Sequence, residues 1–80
     1  MKVYGYSESA RQAESVVPEA LAELSLVATV GELRLIAGFL SECANEMERM
    51  GATFDHVHLS DRIKAFRTSP QFIVAGDRSL

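Results

Sequence analysis

Apolar residues recur at helical spacing through the middle of the chain. Val30, Leu33, Ile36, Ala37, Leu40, Cys43, Ala44, Met47 and Met50 follow one another every three or four positions, which is one face of an α-helix. Thr29 precedes this run and Glu32 follows three residues later, a pairing in which hydroxyl and carboxylate each satisfy an exposed amide of the first turn. Gly51 stands where a left-handed C-cap is wanted. Together these features predict a helix over Val30–Met50. Arg34, Gly38, Ser41, Glu42, Asn45, Glu48 and Arg49 form its solvated face, with Glu46 and Arg49 paired one turn apart. Leu35 and Phe39 widen the apolar stripe on one side, beyond what a small sheet covers, and that edge is the expected self-association surface of a homodimer.

Strand patterns flank the helix. Lys2-Val3-Tyr4-Gly5-Tyr6 alternates, with both tyrosines on one face, and reads as an edge strand. Residues 7–18 are small and polar, a loop or frayed helical turn closed by Pro18. Ala22, Leu24, Leu26 and Ala28 then alternate with Glu23, Ser25 and Val27, a second strand with one face in the core. Beyond the helix, Asp61 is placed to cap a short helical turn that turns Ile63 and Phe66 inward and leaves Arg62, Lys64 and Arg67 wet. After Pro70, the continuous run Phe72-Ile73-Val74-Ala75 reads as a buried final strand. The expected architecture is α+β: a small three- or four-stranded sheet with one long helix packed across it, in the order strand, strand, helix, strand or short helix, strand.

Eighty residues with eight Lys+Arg, eleven Asp+Glu and a net charge of −3 make residues 1–80 a single domain. With 48% hydrophobic and 24% charged residues, the chain is too apolar for disorder and too interrupted by charge for a membrane span. An acidic chain lacks the basic stripe that phosphate binding requires, so neither nucleic acid nor membrane is an expected partner. The only cysteine, Cys43, has no intrachain partner, and no secretory signal pattern opens the chain, so a cytoplasmic location is expected. A core of this size rarely supplies more than roughly 3–5 kcal/mol, which makes dimerisation unsurprising.

Candidate chemistry concentrates in Asp55-His56-Val57-His58 and Asp61. In an extended segment His56 and His58 share a face with Cα atoms about 6.5–7 Å apart, within reach of one divalent metal. Two imidazoles are not a site, and a zinc centre would need Asp61 or another carboxylate as well. The alternative reading is that these side chains fix a turn through hydrogen bonds. Cys43 lies on the apolar stripe, where burial makes a thiol inert, and single glycines offer no phosphate loop. No catalytic residue and no cofactor is expected.

Leu24-Ser25-Leu26-Val27-Ala28 leading into Gly31-Glu32-Leu33-Arg34, then Glu46-Met47-Glu48-Arg49 and Phe54-Asp55-His56-Val57-His58-Leu59-Ser60-Asp61, resemble an immunity-protein family of bacterial polymorphic toxin systems. The resemblance covers about the middle half of the chain. It implies a small cytoplasmic protein, not an enzyme, that binds and neutralises a cognate protein toxin, often a nuclease. Glu42, Glu46 and Glu48 are then the first candidates for contact with a basic toxin surface, and Asp55, His56, His58 and Asp61 the second. A small metal-binding domain or metal-dependent enzyme using His56 and His58, with Asp61 as a further ligand, is the competing expectation.

Overall fold

The computed structural model describes residues 1–11 and 17–77. Its central element is the expected helix, here α2 (Val30–Met50), with both halves of the capping box formed. The Thr29 amide donates to Glu32 Oε1 at 2.8 Å and the Glu32 amide donates to Thr29 Oγ1 at 3.1 Å. Gly51 ends the helix at φ 57°, a conformation open to a residue without a Cβ.

Short elements surround it. Strand β1 (Tyr4–Gly5) is followed by one helical turn, α1 (Glu8–Arg11), and pairs antiparallel with β2 (Glu19–Ala20). The rest of the polar stretch expected as loop or frayed turn, residues 12–16, lies outside the described residues, as do residues 78–80 of the tail. After α2, a 3-10 turn (Gly51–Thr53) leads into β3 (His56–His58), α3 (Leu59–Arg62), a second 3-10 turn (Lys64–Phe66) and β4 (Ile73–Ala75). Strands β3 and β4 are antiparallel, with Val57 opposite Val74.

The protein is therefore α+β with one long helix, as expected, but among the described residues its strands form two separate two-stranded ribbons instead of one three- or four-stranded sheet. The difference arises in residues 22–28. Their alternation matches a half-buried strand, yet they run without regular structure and Leu24, Leu26 and Val27 are exposed. A strand needs a neighbouring ladder as well as a pattern, and among the described residues none lies beside this segment. The final strand is also narrower than expected: Val74 is half-buried, while Ile73 and Ala75 face outward.

The core forms where the β3–β4 ribbon meets α2. Ile36, Phe39, Cys43, Leu59 and Phe66 are buried together, with Val57, Ile63, Phe72 and Val74 packed against them. The Phe39 and Phe72 rings meet edge to face at 6.4 Å, a favoured aromatic geometry. Phe54 is buried separately, close against Gly76, where an added Cβ would come within 3.4 Å of its ring.

This packing corrects the expected phase of the helix. Phe39, assigned with Leu35 to a self-association edge, is 2% exposed and central to the core. Leu33 and Leu40, assigned to the core, are 46% and 44% exposed. At about 100° per residue, Ile36, Phe39 and Cys43 fall within about 60° of one another. The apolar arc of α2 is about three times that wide, and the ribbon covers one side of it.

Candidate functional site

Two polar groupings stand around this core. The first joins α2 to α3. Arg62 forks onto Glu46, with Nη1 to Oε2 and Nη2 to Oε1 both at 2.8 Å, and Glu42 lies 3.8 Å from the same guanidinium. One helical turn separates Glu42 from Glu46, so both carboxylates reach one cation. The bidentate contact holds the Glu46 carboxyl below its ordinary range, with the hydrogen bond from Arg62 as the main cause, and raises Arg62 in turn. The expected Glu46–Arg49 pair thus gives way to a partner 16 positions along the chain. A planar guanidinium gripping both carboxylate oxygens outcompetes a flexible contact along the helix. Glu48 points elsewhere: two residues past Glu46 it stands on the opposite side of the helix, so the three glutamates do not form one patch.

The second grouping lies on the outer face of the β3–β4 ribbon. Because side chains alternate along a strand, turning Val57 inward turns His56 and His58 outward together. Their rings meet edge to face at 5.3 Å. His56 Nδ1 is 2.7 Å from Asp55 Oδ2, and His58 Nδ1 is 3.2 Å from Gln71 Oε1. The shared face read from the alternation is present, and each ring is oriented by a hydrogen-bonding neighbour. Asp61 is not part of it. It lies within α3, whose N-cap is His58 with no side-chain capping bond, so the expected capping role of Asp61 is not formed. Among the described residues no three of His, Cys, Asp and Glu converge as a metal-ligand set.

Cys43 is buried among Ile36, Phe39 and Leu59. Burial pushes its thiol above the ordinary 9.0, Glu46 and Glu42 push the same way, and Arg62 opposes them. The thiol is a packing group in this setting.

A cleft of about 410 Å³ was not anticipated. It opens between the β1–β2 ribbon and Gln71 and is lined by Tyr4, Tyr6, Leu21, Leu24 and Glu19 among others. The two tyrosines on one face of the first strand were its only sequence signal, since Gln71 approaches from the other end of the chain. No helix of the described residues is long and apolar enough to cross a membrane. Comparison with protein-family models, curated proteins and solved structures returns no match.

Proposed function

We propose that this chain is a non-catalytic binding protein of the immunity type, which neutralises a cognate bacterial protein toxin in the cytoplasm by direct contact. The observation that supports the reading is that α2, whose last turns carry the acidic part of the resemblance, packs against the stretch that follows it. Glu46, in the acidic end of α2, is gripped by Arg62 just past the Asp55–Asp61 stretch, and Leu59 from that stretch is buried against Cys43. The arrangement leaves Glu42 on α2, Asp55 just before β3 and His56 on β3 exposed. A net charge of −3 favours a basic partner surface and accelerates encounter more than it adds affinity.

The test pairs the chain with a candidate toxin, sought first among the proteins encoded beside its gene. Co-expression restores growth, and the purified proteins co-elute as a complex whose formation slows as salt rises. Glu42→Lys and Asp55→Asn weaken the complex without altering the circular dichroism of the free chain. Failure of both rescue and complex formation with a folded chain overturns the proposal.

A further inference from the structure

The part of the α2 apolar arc left uncovered by the core carries a regular pattern. Val30, Leu33, Ala37, Leu40, Ala44 and Met47 are separated by three, four, three, four and three residues. That alternation is a coiled-coil seam of period 3.5, whereas the buried residues Ile36, Phe39 and Cys43 lie on the neighbouring side. Five of the six seam residues are exposed, Val30 to 66%, and Met47 is half-buried. A seam of this regularity facing water costs solubility.

We infer that a second copy of this chain covers the seam, through an antiparallel α2–α2′ pair about a two-fold axis between Gly38 and Phe39. Seam residues alternate between bulky Leu33 and Leu40 and small Ala37 and Ala44. With the helices antiparallel about that axis, Leu33 faces the copy's Ala44, Ala37 faces its Leu40, and Val30 faces its Met47. Every layer then joins a large side chain to a smaller one, which fills the interface evenly and lets the helices approach closely. A parallel pair would set Ala37 on Ala37 and Leu40 on Leu40, leaving thin and thick layers. The antiparallel arrangement also sets each helix's positive end beside the other's negative end.

The surface area supports a copy as occupant. The chain exposes 6749 Å², roughly 2,000 Å² more than a folded monomer of its mass shows. Obligate homodimers hide about 1,000 Å² or more on each protomer, and the exposed seam with Leu24, Leu26 and Val27 leading into it is apolar surface that such a contact would take out of water. The contact is isologous and closes on itself, so it stops at two chains.

Sedimentation equilibrium on the full chain gives twice the 8.8 kDa protomer mass, and Leu40→Glu converts it to a monomer with its helicity retained. Burying an unpaired carboxylate raises the dissociation constant about 100-fold or more. Ala37→Glu gives the same result and serves should Leu40→Glu not fold. Leu35→Glu, which lies on the far side of the core from the seam, leaves the dimer intact. Single cysteines in a Cys43→Ala background report orientation: Leu40→Cys, next to the axis, cross-links to its copy, while Leu33→Cys sits about 16 Å along the axis from its copy and does not. A wild-type monomer at millimolar protein, a dimer that survives both glutamate substitutions, or ready cross-linking of Leu33→Cys overturns the inference.

Discussion

At the scale of single residues, two contacts hold the ends of α2. The capping box satisfies two amides that would otherwise face water, and the bond from the Thr29 amide is the main cause of the lowered Glu32 carboxyl. Removing the hydroxyl in Thr29→Ala costs about 1 kcal/mol of stability, while Thr29→Ser keeps most of it; equilibrium urea unfolding of the two variants separates them, and equal midpoints would show that the box is not formed. Near the other end, Arg62 forks onto Glu46 at an interface where neither side chain is fully buried. A double-mutant cycle of Glu46→Gln with Arg62→Gln yields a favourable coupling that shrinks as salt is added. Strict additivity of the two substitutions would mean that α2 and α3 are not tied there.

At the scale of elements, the phase of α2 decides which residues matter. Phe39 fills the core against Phe72, so Phe39→Ala removes about 3–5 kcal/mol, whereas exposed Leu35→Ala changes stability by about 0.5 kcal/mol or less. Similar losses from the two would place the core on a different side of the helix. The limits of α2 were readable because its signals are local: Thr29, Glu32 and Gly51 act within a turn of the ends they fix. Its phase was not, because an apolar arc of about 180° fits several core positions. The choice among them is made by Leu59, Phe66 and Phe72, 20 or more residues downstream of Phe39. The same distinction explains residues 22–28, whose alternation is local while a strand is a relation between segments. In the candidate site, neighbouring Asp55 and His56 were legible, but Glu46 with Arg62 and His58 with Gln71 join positions that only the folded ribbon brings together.

At the scale of the whole molecule, these contacts set a window of pH in which the fold is most stable. The carboxyls of Glu32 and Glu46 lie below their ordinary 4.5 in the folded chain, so they favour folding above 4.5 and that contribution is lost as the pH falls through their folded values. Cys43 acts in the opposite sense. Its thiol is raised above 9.0 by burial, assisted by Glu46 and Glu42 against Arg62, so its contribution is complete below 9.0 and is lost as the pH climbs through the folded value. Stability measured by urea unfolding should therefore form a plateau between the two limits and decline on both sides. Glu46→Gln flattens the acid limb in part, because Glu32 still titrates there. Cys43→Ala lowers the plateau by leaving a small cavity, so the informative quantity is the slope above 9.0, which becomes shallower than that of the wild type. Parallel slopes would mean that the thiol meets water in the folded protein, and the face of α2 that carries Phe39 and Cys43 could not then be the one closed by Leu59 and the ribbon.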